Sequence, residues 1–444
     1  MQNSSFSGKY FGTDGIRGVY GEDLTDGLAM LVGNSLGLSA EGKTVVIGRD
    51  NRIGGENLAR ALAEGVLAAA GNVIDLGVVT TPCVSFVTRT RHAYAGVMVS
   101  ASHNPPRYNG IKIFGGDGRK LAKEKEASVE KHIADAKLCY AEFRGNVLPP
   151  DGLVEEYKNA ICSSAGSLKG LKIAIDCANG ASGSIAPDVF ARSGAEVFPV
   201  FTSPDGSKIN ENCGALHPDA VAEEVLRRGA DMGLCFDGDA DRVIATDEKG
   251  NVVNGDMTLY ILARKMKAEG RLPCSAAVGT LHTNMGTEFG LAKLGIDLVR
   301  TDIGDHNVIR CMSEAGLSLG AEQSGHIILS DFLPTGDGIF AGAKLARTLK
   351  ESGLTLSALA DCPVYPQRNA EIATVYKDKI ARDKALLRYT AAIEDMLGDS
   401  GRIMLRPSGT EKKLRIMAES KDAFLADFAA RSIELFIRTN FELV

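Results

Sequence analysis

Residues 232–250 read MGLCFDGDADRVIATDEKG. Met232 to Phe236 is a short apolar run that predicts a buried strand. Val243 to Ala245 predicts a second, closed by a turn at Asp247 to Gly250. Between the strands, Asp237, Asp239 and Asp241 fall at alternate positions with the small residues Gly238 and Ala240 between them. Three carboxylates this close repel one another, and folding them together is costly unless a cation sits among them. Hard oxygen ligands suit Mg²⁺ or Ca²⁺ rather than zinc. An ordinary acidic turn is the plainer account of Asp-Gly-Asp. A helix–loop–helix calcium site is another, with Glu248 at the twelfth loop position. That site needs glycine where Arg242 stands and helices where the flanks are β-branched, so Mg²⁺ is the expected ligand.

The strand–loop unit has neighbours of similar build. Thr44 to Gly48 predicts a strand, followed by the loop RDNRIGG, a helix from about Glu56 to Ala70, Gly71 and a strand at Asn72 to Leu76. The pattern returns with a strand at Leu171 to Asp176, a loop at Ala178 to Gly183, a helix to Ser193, Gly194 and a strand at Ala195 to Val200. It returns again with a strand at Ala276 to Thr280, a loop, a helix across Thr287 to Leu294, Gly295 and a strand at Ile296 to Arg300. Three such units suggest three similarly built α/β domains instead of one long sheet. After Pro363 and Pro366 the pattern changes. A strand near Asn369 to Val375, a long helix across Asp378 to Leu397, two strands at Arg402 to Leu405 and Leu414 to Ala418, and a C-terminal helix predict a smaller α+β domain. Boundaries near Pro149-Pro150, Asn254 and Pro363 divide the chain into 1–150, 151–253, 254–364 and 365–444.

Composition narrows the function classes. The 444 residues are 44% apolar and 24% charged, with a net charge of −6 that offers no basic footprint for nucleic acid. No apolar run approaches the ~18 residues of a membrane span, and MQNSSFSGKY has no hydrophobic signal core. Nine cysteines without a CxxC pair read as free thiols in a reducing cytoplasm.

Four further stretches carry chemistry. Residues 9–18, KYFGTDGIRG, form a glycine-punctuated loop with Arg17. Residues 99–106, VSASHNPP, put Ser102 on a loop among small neighbours where an incoming group can reach its hydroxyl. No G-x-S-x-G elbow accompanies it. Residues 406–411, RPSGTE, offer Arg406, two hydroxyls and a glycine as an anion cradle, with Arg415 on the next strand. Residues 321–326, AEQSGH, place Glu322, Ser324 and His326 at alternate positions, which strand spacing would point to one face. Taken singly, each is also an ordinary polar turn.

Together, and in this order, KYFGTDGIRG, SASHNP, DGDADR, EQSGH and RPSGTE resemble the α-D-phosphohexomutases over essentially the whole chain. The resemblance implies an α/β fold of four domains around a central cleft, three similar mixed α/β domains and a smaller C-terminal α+β domain. It assigns the phosphoserine loop to 1–150, the metal-binding loop to 151–253, the sugar-binding loop to 254–364 and the phosphate-binding loop to 365–444. It makes Ser102 a phosphorylated serine that donates and reclaims the phosphoryl group. It makes Asp237, Asp239 and Asp241 ligands of Mg²⁺ together with the group on Ser102. Arg17, Lys112 and His326 match positions near the transfer, with Lys112 and His326 as proton carriers. Glu322 and Ser324 match the sugar-hydroxyl loop, and Arg406, Ser408, Gly409, Thr410 and Arg415 the loop for the non-transferring phosphate. The opening motif and Gln323 favour a hexosamine phosphate substrate over glucose or mannose phosphates, with a hexose bisphosphate as activator and intermediate. Two departures from the family pattern stand out: Lys412-Lys413 after RPSGTE, and His306 where arginine is usual. A cytoplasmic enzyme, with a homodimer as the assembly considered, is the expected setting. A non-catalytic sugar-phosphate or calcium-binding protein is the alternative of another class, although binding alone would not require a phosphorylatable serine.

Overall fold

The computed structural model describes residues 10–12, 14–408 and 411–443. The chain divides into two compact units, Met1–His282 with Leu294–Asp361, and Thr283–Lys293 with Cys362–Val444. Among the described residues four separate sheets run through it.

The first sheet holds β1 (Ile16–Val19), β2 (Thr44–Arg49), β3 (Asn72–Val78), β4 (Ala95–Val99), β5 (Tyr108–Gly115) and β6 (Val147–Leu148), in the order β1-β5-β4-β2-β3-β6. β3, β2 and β4 are parallel neighbours, while β5 and β1 run antiparallel at one edge. All five residues of β4 are buried, as expected of an apolar strand covered on both faces. Its helices are α1 (Asp26–Ala40), α2 (Gly55–Ala68), α3 (Thr81–Thr90) and α4 (Lys123–Asp135). α1 and α2 pack backbone to backbone. A Cβ on Gly33 would lie 2.0 Å from the Leu62 carbonyl oxygen, and one on Gly65 2.1 Å from that of Met30. The N-terminal motif, read from sequence as turns alone, is part strand: Ile16 to Val19 pair with Tyr108 to Ile111.

The second sheet contains β7 (Lys172–Asp176), β8 (Glu196–Val200), β9 (Met232–Phe236), β10 (Val243–Asp247) and β11 (Val252–Val253), ordered β11-β10-β9-β7-β8, with α5 (Leu153–Ala165), α6 (Ala186–Arg192) and α7 (Pro218–Arg228). β9 and β10 form the antiparallel pair that holds the three aspartates in its connection. The third sheet contains β12 (Ala276–Thr280), β13 (Asp297–Thr301), β14 (Leu319–Ala321) and β15 (Ile327–Leu329), with α8 (Gly255–Ala268), α9 (Met285–Lys293), α10 (Asp305–Ala315), α11 (Gly338–Ser352) and α12 (Leu356–Leu359) around it in the chain. α9 follows β12 in sequence but belongs to the second unit. There the buried Glu419 carboxylate accepts from its Met285 N–H at 2.9 Å.

The second unit is built on β16 (Gln367–Ala373), β17 (Gly401–Pro407) and β18 (Lys413–Ser420), all antiparallel, with α13 (Lys377–Ala381), α14 (Lys384–Leu397) and α15 (Ala423–Asn440). Ile372, Leu386, Leu414, Ile416 and Ile433 form its core. The single helix expected over 378–397 is two. Asp383 breaks it by accepting from the N–H groups of Ala385 and Leu386 (2.8 and 3.0 Å), so it caps α14 and does not continue α13.

Of the strand and polar-turn readings that the spacing of Glu322 to His326 leaves open, the structure takes the turn. These residues form the turn between β14 and β15, closed by Gly325 N–H to Glu322 O at 2.9 Å with Gly325 at φ +91°. Alternate spacing fits a strand and a tight turn alike, and the left-handed glycine decides it.

Candidate functional site

The β9–β10 connection is gripped by three other segments. Its successive carbonyls at Gly238, Asp239 and Ala240 accept from the N–H groups of Ala181, Thr81 and Gly338 at 2.9, 3.0 and 3.0 Å. Ala181 opens a short 3₁₀ turn, Thr81 opens α3 and Gly338 opens α11. N–H groups at helix starts have no partner within their own helix, so the loop is positioned by donors that would otherwise be orphaned. Beneath α3 and α11 an aromatic cluster fixes their spacing. Phe332 stacks on Phe340 at 4.0 Å, and Phe86 lies 5.5 Å from Tyr157.

Ser102 meets this loop directly. Its backbone is left-handed (φ +54°) and every polar atom is engaged. Its N–H donates to Ser100 Oγ (2.9 Å), and its carbonyl accepts from Arg52 Nη2 (2.5 Å) and Asn210 Nδ2 (2.8 Å). Its hydroxyl donates to Asp237 Oδ2 at 2.6 Å. Gly238 permits the approach, since a Cβ there would sit 2.7 Å from Ser102 O. The sequence suggested an accessible hydroxyl; instead Ser102 is fully buried, because the Asp237 carboxylate lies over it.

Asp237, Asp239 and Asp241 are buried, with ligand oxygens within 4.8 Å of one another. Burial, then the charges of Asp241 and Asp239, push Asp237 well above the usual carboxylate range. Lys112 bonds Asp239 Oδ2 at 2.7 Å and Asp241 Oδ2 at 2.8 Å. Burial works against its charge, but Asp14, Asp239 and Asp241 outweigh it and keep the ammonium charged. The buried Oδ1 atoms of Asp239 and Asp241 have no hydrogen-bond partner among the described residues. Two orphaned carboxylate oxygens beside a third carboxylate fit a hard divalent cation.

Arg17 pairs with Asp14, and its Nη1 donates to Asn104 Oδ1 at 3.4 Å. The Nε donors of Arg17 and of Arg242 are buried without a hydrogen-bond partner among the described residues, a match for an anion. His103 Nδ1 lies 3.3 Å from Ser102 Oγ. Burial, then Arg242 and Arg17, push its pKa down to about 3, so that ring is neutral. His326 Nε2 accepts from Gly336 N–H at 3.2 Å, which puts the neutral ring's proton on Nδ1, 3.7 Å from Asp241 Oδ1. Burial favours that neutral form. The Asp241, Asp305 and Glu322 carboxylates outweigh it and raise the His326 pKa, so two opposing pulls act on one ring.

The structure thus brings together Ser102, the three aspartates, Lys112, Arg17 and His326. Glu322 is half-buried and accepts from Gly304 N–H at 3.0 Å, whereas Ser324 is exposed on its turn. In the second unit Arg406 and Arg415 are cross-strand partners, and Arg415 pairs with Glu411 at 2.6 Å. Ser408 Oγ accepts from Glu411 N–H at 3.2 Å. Gly409 and Thr410 lie outside the described residues.

Sequence reasoning missed several members. Lys120 Nζ joins Asp14 Oδ1 and Asp305 Oδ2, both at 2.5 Å, and His326 Nε2 lies 3.7 Å from Asp305 Oδ2. Lys112, Asp241, His326, Asp305, Lys120 and Asp14 thereby close a ring of ionisable groups. Arg242 stands inside the quoted motif and Asp305 beside His306, so both had a local signal. Asp14 likewise stands inside the quoted KYFGTDGIRG, whereas Lys120 is a common surface type that only tertiary folding joins to the others. Among the described residues no helix is long and apolar enough to cross a membrane.

The chain matches the four domain descriptions of phosphoglucomutase/phosphomannomutase: alpha/beta/alpha domain I over residues 8–138, II over 151–250, III over 254–365 and the C-terminal domain over 369–433. A phosphoglucosamine mutase of Bacillus velezensis is 42% identical across 97% of this chain and 99% of its own length. That of Bacillus subtilis is 41% identical across 98% and 100%. A phosphoglucomutase/phosphomannomutase family protein from Burkholderia thailandensis superposes with a TM-score of 0.85 at 25% identity, covering 97% of this chain and 98% of that one. The fold is shared too by Aspergillus fumigatus N-acetylphosphoglucosamine mutase, with a TM-score of 0.67 at 18% identity over 97% and 96%.

Proposed function

The chain belongs to the phosphoglucomutase/phosphomannomutase family, and on that premise we propose that it interconverts glucosamine 6-phosphate and glucosamine 1-phosphate through a phosphoserine at Ser102. The observation that carries the phosphoryl-transfer part is the Ser102 hydroxyl held 2.6 Å from Asp237, inside a buried carboxylate cluster with orphaned oxygens. Support for the hexosamine part comes from relatives named phosphoglucosamine mutase at 41–44% identity over nearly the whole chain.

In the working enzyme Ser102 Oγ carries the phosphoryl group. Its Oγ–P bond breaks as a free hydroxyl of the sugar monophosphate forms a new O–P bond, giving a hexose bisphosphate. The hydroxyl proton passes to a base, for which His326 is the nearby group, while Lys112, whose ammonium is kept charged, is the nearby group that can donate one. The bisphosphate then turns around, its other phosphate returns to Ser102 Oγ, and a proton goes back to the sugar oxygen released. Arg17 and Arg242 hold phosphoryl oxygens through donors that are otherwise unsatisfied. Asp237, Asp239 and Asp241 would hold Mg²⁺, whose chemistry is to offset negative charge on the transferring group. Arg406, Ser408, Gly409, Thr410 and Arg415 are assigned to the non-transferring phosphate, with Glu322 and Ser324 at the sugar hydroxyls. Burial of Ser102 limits access of water to the phosphoserine.

Turnover of glucosamine, glucose and mannose phosphates should be compared side by side with Mg²⁺ and a hexose bisphosphate. The expected result is the highest kcat/KM on glucosamine phosphates. An equal or higher value on glucose 1-phosphate would move the substrate to the neutral hexose and leave the Ser102 chemistry intact.

A further inference from the structure

Asp239 is oriented from outside its own loop. Thr81, the first residue of α3, gives Asp239 two bonds. Its N–H donates to the backbone carbonyl at 3.0 Å and its Oγ1 to Oδ2 at 2.5 Å. The hydroxyl is not needed by its own helix, because Thr80 caps α3 by accepting from Cys83 N–H at 3.4 Å. Thr81 is 1% exposed, so water does not compete for that hydroxyl.

Lys112 Nζ bonds the same Oδ2 at 2.7 Å and reaches Asp241 Oδ2 at 2.8 Å. Every donor to the Asp239 carboxylate therefore lands on Oδ2. Oδ1, buried, has no hydrogen-bond partner among the described residues, and the same holds for Asp241 Oδ1. Twisting the Asp239 carboxylate away from these donors would break two bonds and leave a buried hydroxyl unsatisfied, which costs more than a single hydrogen bond returns. Groups that bond the far oxygen of a ligating carboxylate fix its direction and tune its affinity.

We infer that Thr81 is a positioning residue for the cation, saturating Asp239 Oδ2 so that Oδ1 is the oxygen presented to the metal. The inference rests on the reading of Asp237, Asp239 and Asp241 as cation ligands. It adds a residue from the first sheet's helices to a site carried by the second sheet. The buried bond to Asp239 Oδ2 selects the Thr81 rotamer, so the hydroxyl is aimed before the metal arrives.

Mg²⁺ alone is titrated calorimetrically into the full-length, unphosphorylated chain for wild type, Thr81→Val, Thr81→Ala, Thr81→Ser and Asp239→Asn. Thr81→Val and Thr81→Ala keep the N–H bond and lose only the hydroxyl. Each should weaken Mg²⁺ binding by about tenfold or more, whereas Thr81→Ser should stay within about threefold of wild type. Thermal midpoints without metal are recorded in parallel, because a merely structural threonine would lower the midpoint and leave the Kd unmoved. Alanine serves if the buried valine fails to fold. Wild-type affinity in either hydroxyl-free variant, with Asp239→Asn impaired, overturns the role of Thr81. Wild-type affinity in Asp239→Asn, or no binding by wild type, overturns the cation site itself and the inference with it.

Discussion

Ser102 sits in left-handed backbone with its N–H, carbonyl and hydroxyl all bonded, a conformation that costs a non-glycine residue energy and is kept by the bonds around it. Ser102→Ala is expected to abolish turnover and to remove phosphate from the peptide containing position 102 in intact-mass analysis. Sequence alone suggests a loop hydroxyl whose loss is nearly free. The buried bond to Asp237 changes that expectation to a stability loss of about 1–3 kcal/mol, read by denaturant melts. Full activity in the alanine variant would remove Ser102 from the mechanism. The clamp on this residue gives a second test. Arg52 is buried, bonds the carbonyls of Ser102, Pro105 and Tyr108, and pairs with the buried Asp50 at 2.9 Å. Arg52→Met leaves Asp50 without its counter-charge and should cost roughly 3–5 kcal/mol. A variant as stable as wild type would mean that Asp50 is satisfied without it. Ser102 and the three aspartates were legible because their chemistry is written in neighbouring letters. Arg52 and Asn210 were not, since each reaches Ser102 from a distant part of the chain.

At the scale of elements, α11 places one end against the aspartate loop and buries an acid there. Asp337 caps it by accepting from Phe340 N–H at 2.9 Å, and Tyr157 OH donates to its other oxygen at 2.9 Å. Burial pushes its pKa up to about 7, against those hydrogen bonds. The unfolded chain releases this proton near pH 4, so between about pH 4 and 7 the folded state holds a proton that the unfolded state has lost. Stability contributed by the protonated acid is therefore complete below pH 4 and lost as pH rises through about 7. Asn caps helices as well as Asp and carries no charge. Asp337→Asn should gain on wild type by about 2–3 kcal/mol between pH 5 and pH 8, and a constant gap in thermal midpoint across that range would contradict it. Strands such as β4, β9 and β12 were legible as continuous apolar runs, and helix ends at Gly71, Gly194 and Gly295 by their glycines. The break at Asp383 was hidden because an aspartate four residues inside an apolar-periodic stretch reads equally as a solvated face. The turn at 322–326 was legible only as one of two readings, because period-two spacing does not separate strands from hairpin ends.

For the molecule as a whole, the order of the five motifs was readable, but not which charges they would gather. The first unit draws Asp14, Lys112 and Lys120 from around its first sheet, Asp237, Asp239, Asp241 and Arg242 from its second, and Asp305 and His326 from its third. With Arg17 included, five carboxylates face four permanent cations, roughly one negative charge in excess. A phosphoryl group on Ser102 adds about −1.5 to −2 and removes the hydroxyl proton that now bonds Asp237. Without metal, phosphorylation should therefore lower stability through repulsion with Asp237, whose pKa burial, Asp241 and Asp239 already raise. With Mg²⁺ present, the added charge is offset and the phosphate supplies a further hard oxygen ligand. The gap in thermal midpoint between phosphorylated and unphosphorylated chain should shrink or reverse on adding Mg²⁺. Linkage fixes the reciprocal result: phosphorylation must tighten Mg²⁺ binding by the factor with which Mg²⁺ favours the phosphorylated state. A coupling of about 1–3 kcal/mol corresponds to roughly 5–150-fold in Kd. Calorimetric titration of Mg²⁺ into both forms measures it, and equal affinities would show that the Ser102 phosphate and the aspartate cluster do not share a cation.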